Sequence, residues 1–138
     1  MPYTLNHAGN AMQIREREYA TGNPVRFTAF TSCLGLMAWA ADENENAIRA
    51  VHLSLLNEND QPFDEDAVGQ VLTRLLDYRL VVVVGHVSAW TDRLPEAYHR
   101  LIGQLRDPHI IDAADGVYGG QIDHGHFQLY QAGVYTGL

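Results

Sequence analysis

RLVVVVGHVSAW, residues 79–90, decides how this chain folds. Val81 to Val84 are four β-branched residues in a row, with no polar alternation. A strand with one wet face alternates, so an unbroken run of this kind predicts a strand buried on both faces. The spacing predicts that strand across the whole of 79–90. Layers must therefore lie above and below it.

Both neighbours of the run carry helical spacing. Upstream, Val68, Val71, Leu72, Leu75 and Leu76 fall at i, i+3, i+4, i+7 and i+8, a one-sided apolar stripe. Asp64, Glu65 and Asp66 stand at its start, where acidic groups suit the helix dipole. The pattern predicts a helix over 64–77. Downstream, Leu94, Ala97, Tyr98, Leu101, Ile102 and Leu105 repeat the stripe, and Pro95 fits a first-turn position.

The N-terminal half reads as strands. MQIREREYA (12–20) is a first candidate, TGNP (21–24) a turn, and VRFTAF (25–30) a second strand. LGLMAWAA (34–41) and AIRAVHLSLL (47–56) follow, joined by the polar turn DENEN (42–46). The Gly-rich tail from His109 reads as two or three short strands. The expected fold is α/β: a layered sandwich of mostly antiparallel or mixed β-sheet with two flanking helices, in one domain spanning 1–138. Trp39 and Trp90 are expected in the core.

Composition narrows the function classes. The chain has 138 residues, 9 basic and 17 acidic, for a net charge of -8. None of the basic residues is Lys, and the arginines are scattered. Nucleic-acid binding needs clustered cations, so a nucleic-acid partner is not expected. No run approaches the ~18 apolar residues of a membrane span, so no membrane partner is expected either. The first residues lack the layout of a cleaved Sec signal. The expected location is cytoplasmic, or secreted or translocated without such a signal, with the protein acting in a reducing cytosol. A single cysteine excludes an intramolecular disulfide and a thiolate-rich zinc site. HGH (124–126) offers two histidines at i and i+2, but spacing fixes no third ligand. No metal and no cofactor are expected.

That cysteine, Cys33, lies in FTAFTSCLGLMAW (27–39), at the connection between two predicted strands. A thiol at a tight connection can be partly exposed while the sheet holds its backbone. The turn amides of Ser32 and Cys33 can converge on a developing oxyanion. A thiol needs a base to become a nucleophile at neutral pH. The nearest candidate is His52, in the strand after the hairpin, and a strand, a turn and half a strand bring it back beside Cys33. The plainer reading of the same residues is a small core cysteine and a satisfied strand histidine. His86 closes the valine run, either facing the site or simply ending the strand.

Thr31-Ser32-Cys33 with the His52 strand resembles the glutamine deamidases of the CheD family, which carry a Gly-Ser-Cys turn between strands and a histidine in the next strand. The layout of 12–138 is similar throughout, with the helix at 64–77, the strand at 80–89 and a closing Gly-rich hairpin. The same Cys–His arrangement resembles toxin deamidases related to cytotoxic necrotizing factor. Thr31 stands where the family has glycine, and Arg49-Ala50-Val51 replaces its paired glycines. The family threonine six places before the cysteine falls on Phe27, one position from Thr28, which leaves Thr28 and Thr31 as candidates.

The resemblance implies hydrolysis of a protein glutamine side chain to glutamate and ammonia. It implies catalytic Cys33, His52 and Thr28, an oxyanion site at the Ser32 and Cys33 amides, and a host or target protein as substrate. The departures point to a bacterial effector or toxin more than to a chemoreceptor enzyme. A chemoreceptor-type deamidase, a cysteine protease or transglutaminase-like acyl transferase on the same dyad, and a non-catalytic binding module are the alternatives.

Overall fold

The computed structural model describes residues 2–41 and 46–138. Most of the expected turn at 42–46 therefore lies outside the described residues. Three layers stack as helices, a six-stranded sheet and a four-stranded sheet.

The six-stranded sheet runs β1 (Asn6–His7), β2 (Glu18–Gly22), β5 (Ile48–Leu53), β4 (Leu34–Ala40), β6 (Tyr78–Gly85) and β7 (His109–Asp112) in spatial order. The inner pairs are antiparallel, whereas β1 with β2 and β6 with β7 are parallel. The antiparallel four-stranded sheet runs β10 (Val134–Gly137), β9 (His126–Gln131), β8 (Tyr118–Asp123) and β3 (Val25–Arg26).

The valine run explains why two cores form. Val81 to Val84 are all fully buried. Side chains alternate along a strand, so Val81 and Val83 face the helices while Val82 and Val84 face the small sheet. The helix-side core joins Leu36, Val51 and Leu53 to Val68, Val71 and Leu75 of α1 (Glu65–Leu75) and Leu101 of α3 (Pro95–Gly103). Burying each such side chain contributes roughly 1.5–3 kcal/mol. Asp64 caps α1, accepting from the Ala67 amide at 2.9 Å. The second core joins Met37, Ile48 and Ala50 to Val25, Phe127 and Leu129.

The architecture agrees with the sequence, and several edges differ. The predicted strand at 79–90 ends at Gly85, and Val87–Arg93 forms a helix, α2, so the helices among the described residues number three. Gly85 has φ +146° and breaks the extended backbone, and fully buried Trp90 anchors the new turn. The strand expected over 12–20 is extended only from Glu18, and that over 25–30 only to Arg26. The tail holds four strands instead of two or three. Its two hairpin turns, His124-Gly125 and Ala132-Gly133, have positive φ at both central residues, the primed geometry that suits twisted hairpins. Trp90 is core as expected, whereas Trp39 is only partly buried and carries the Arg79 guanidinium over its ring. No described helix is long and apolar enough to cross a membrane.

Candidate active site

Cys33 stands immediately before β4, and His52 lies on β5. Register opposes His52 to Gly35. Cys33 is two residues before Gly35, so thiol and imidazole lie on one face as diagonal neighbours, where Cα atoms are ~7–8 Å apart. The hairpin thus brings together the two residues picked out by sequence. Gly35 supplies no side chain between them, and aromatic rings fill the space. A Cβ at Gly35 would stand 2.6 Å from Phe27 Cε2 and 2.8 Å from Phe30 Cζ. Both rings pack on His52, with centroids at 5.5 Å for Phe27 and 4.9 Å for Phe30.

The imidazole is 0% exposed. Its Nδ1 lies 2.8 Å from the Ile14 carbonyl oxygen. A carbonyl only accepts, so Nδ1 carries the proton and Nε2 presents a lone pair. That Nε2 is buried and has no hydrogen-bond partner. Burial pushes the imidazole down to about 4, with the Ile14 carbonyl opposing the shift, so the ring is neutral at pH 7. Thr28 Oγ1 donates to the same Ile14 oxygen at 3.4 Å. Thr28 therefore stands beside the histidine's anchor, although it lies outside any regular strand.

One expectation about the thiol is corrected, and its acidity follows from the correction. Cys33 is 0% exposed, not partly exposed. Its pKa is pushed up to about 11, first by burial and further by the Glu16 carboxylate, against a hydrogen bond to Thr31. The S–H faces the Thr31 carbonyl at 3.4 Å and Glu16 Oε1 at 3.8 Å. No hydrogen bond between thiol and imidazole is present among the described residues.

The expected oxyanion donor is already engaged. Ser32, at φ +58°, turns its amide toward Asp115, donating to Oδ1 at 2.8 Å. An incoming oxyanion must displace that carboxylate. The turn is held from behind by Trp90 Nε1, which donates to the Ser32 carbonyl at 2.9 Å, and by the His86 amide, which donates to the Cys33 carbonyl at 3.1 Å. Thr31 contributes its main chain to the thiol.

Glu16, Asp115 and His86 complete the surroundings. His86 Nδ1 lies 3.9 Å from Asp115 Oδ1. Neither acid carries a sequence signal: Glu16 falls inside the misread strand 12–20, and Asp115 in a loop 82 residues beyond Cys33. His86 was visible as the end of the valine run, but as a strand end; it is the residue preceding α2. The histidines of 124–126 sit elsewhere, His124 in a hairpin turn against Asp123 and His126 opening β9.

No protein-family model, curated protein or solved structure matches this chain.

Proposed function

We propose that this chain is a cysteine-dependent protein glutamine deamidase of the CheD-like and necrotizing-factor-like kind, acting as a bacterial effector or toxin on another protein. One observation carries the reading. A buried imidazole presents an unprotonated, unpartnered Nε2 on the same sheet face as the chain's one thiol. An orphaned polar atom in a core costs about 1–3 kcal/mol, and a proton-accepting role accounts for that cost.

The resting pair is neutral, since the thiol is pushed up and the imidazole down. Proton transfer therefore accompanies attack instead of preceding it. Once the Phe27 and Phe30 rings that fill the space between them move aside, Cys33 Sγ adds to the glutamine side-chain carbonyl as its proton passes to His52 Nε2. The Ser32 amide, released from Asp115, holds the oxyanion. Collapse breaks the C–N bond, and the proton on Nε2 leaves with ammonia. Water, deprotonated by the same nitrogen, then cleaves the thioester to the glutamate side chain and restores the thiol. Thr28 supports the Ile14 carbonyl that orients the ring.

The test is incubation of the purified protein with glutamine-bearing proteins of a cell extract. Ammonia release and conversion of glutamine to glutamate without chain cleavage, lost in Cys33→Ala, is the expected result. Cleaved chains would identify a protease. The complete burial of both residues favours the second reading, a non-catalytic binding module with Cys33 as core. Under that reading no ammonia is released.

A further inference from the structure

Two carboxylates that the mechanism does not use as acids or bases hold on to the Ser32–Cys33 turn. Glu16 Oε1 stands 3.8 Å from Sγ, and Asp115 Oδ1 stands 2.8 Å from the amide of the preceding residue. Both acids are open to solvent on their outer sides, with side-chain exposures of 37% and 53%. They reach the Ser32–Cys33 turn from different parts of the chain, Glu16 from the loop before β2 and Asp115 from the loop before β8. Thr31, whose carbonyl accepts from the thiol, is exposed. A substrate that reaches the buried thiol from this exposed side must pass the two acids.

Their charges are only partly offset. Arg17 Nη1 lies 3.9 Å from the other Glu16 oxygen. The same guanidinium holds Glu58 at 3.3 Å and Ser54 Oγ at 2.7 Å, so it is shared with a second acid. His86 stands beside Asp115. Glu16, Glu58 and Asp115 thus face Arg17 and His86, and the Glu16 oxygen turned to sulfur is the one away from Arg17.

We propose that Glu16 and Asp115 are specificity-determining residues that admit neutral carboxamides to Cys33 and turn carboxylates away. This deepens the deamidase reading and rests on it. A carboxamide presents two N–H donors, which a carboxylate accepts, and a carbonyl oxygen, which the Ser32 amide receives. A carboxylate presents only acceptors and a negative charge, and at ~4–6 Å from a like charge near a protein surface the repulsion is several RT. The filter suits the reaction because substrate and product differ in that charge. The glutamate formed is repelled from the thiol, which favours its release over reversal.

Iodoacetamide and iodoacetate test this directly. They have nearly the same size and differ as a carboxamide differs from a carboxylate. The measurement is the ratio of their rates of Cys33 alkylation in the native protein, referred to the ratio for the same chain unfolded in urea. The expected native ratio exceeds the unfolded one at least ~10-fold, consistent with one like-charge contact in a medium between protein and water. Glu16→Gln and Asp115→Asn should each lower it severalfold, and the double variant should bring it to the unfolded value. A structural role alone would change both rates together and leave the ratio intact. Equal native and unfolded ratios, a ratio unmoved by both substitutions, or no native labelling by either reagent overturns the proposal. Ammonia release measured in parallel separates the two readings. A high ratio without ammonia supports the filter and refutes deamidation, while ammonia with a flat ratio refutes the filter alone.

Discussion

His52 and Thr28 share one acceptor. The Ile14 carbonyl oxygen takes His52 Nδ1–H at 2.8 Å, the Thr28 hydroxyl at 3.4 Å and the Thr28 amide at 2.9 Å. A carbonyl has two lone pairs, so three donors crowd it and the threonine hydroxyl holds the longest bond. The main chain of 14 fixes the imidazole tautomer, and Thr28 acts through that carbonyl.

Thr28→Ala should accordingly cost activity modestly, up to ~10-fold, about the 1.4 kcal/mol of one positioning hydrogen bond. Thr31→Ala should be nearly silent, because Thr31 serves the thiol through its carbonyl. Rates of ammonia release for the two variants decide this. The reverse ranking would move the role to Thr31.

The layered fold was legible because its cause is local. A valine run between two apolar stripes leaves one arrangement of layers, and an antiparallel hairpin places Cys33 diagonal to His52 whatever lies outside it. The helix at Val87 was not legible, because HVSAW has no apolar period of its own and is set by Gly85 and by burial of Trp90. The electrostatics of the site were not legible either. Burial of the thiol depends on Phe30, Glu16 and the small sheet folding over it, none of which spacing records. Glu16 meets the thiol and Asp115 meets the Ser32 amide through contacts 17 and 83 residues long.

The buried imidazole predicts acid sensitivity. The folded state holds His52 down at about 4, whereas an imidazole in water titrates near 6.5. Between those values the unfolded chain binds the proton and the folded chain does not, so stability rises with pH across that window. The contribution is fully present above ~6.5 and lost as pH falls to ~4, and it amounts to about 3 kcal/mol. His52→Leu removes that dependence and the orphaned Nε2, and gives up one hydrogen bond. Urea melts at pH 7.5 should place the variant within ~1–2 kcal/mol of the parent. At pH 4.5 the variant should be the more stable of the two. Parallel acid curves for both proteins would contradict the assignment.

The raised thiol predicts that no resting thiolate exists at neutral pH. Ultraviolet thiolate absorbance of the native protein, corrected with Cys33→Ala, should be absent at pH 7 and rise toward a midpoint near 11. The sign for stability is opposite to that of His52. The folded state retains the proton between 9.0 and about 11, so this contribution is present below 9.0 and is lost as pH rises through that window. A neutral-pH thiolate signal would replace the neutral pair with a preformed ion pair.

Gly85→Ala predicts how closely the nucleophile is held. Gly85 pairs with Leu34 at the end of β6, and its φ of +146° is a conformation that side chains rarely adopt. A Cβ there would stand 2.2 Å from the Cys33 carbonyl oxygen and 3.0 Å from Leu34 Cα. Both obstacles are main chain, so neither can rotate away. The same Cys33 carbonyl accepts the His86 amide that begins the turn into α2. The substitution must therefore push the Cys33 turn off β6 or strain the strand end, and should destabilise by about 3 kcal/mol or more. Gly103→Ala is the control, since nothing lies within 4 Å of its added Cβ and alanine suits a helix better. Thermal melts should show a large drop for Gly85→Ala and little change or a gain for Gly103→Ala. In the surviving folded fraction Cys33 should alkylate faster than in the parent, because the displaced turn uncovers the sulfur. A parent-like melting temperature and labelling rate for Gly85→Ala would show that Cys33 is not clamped against β6.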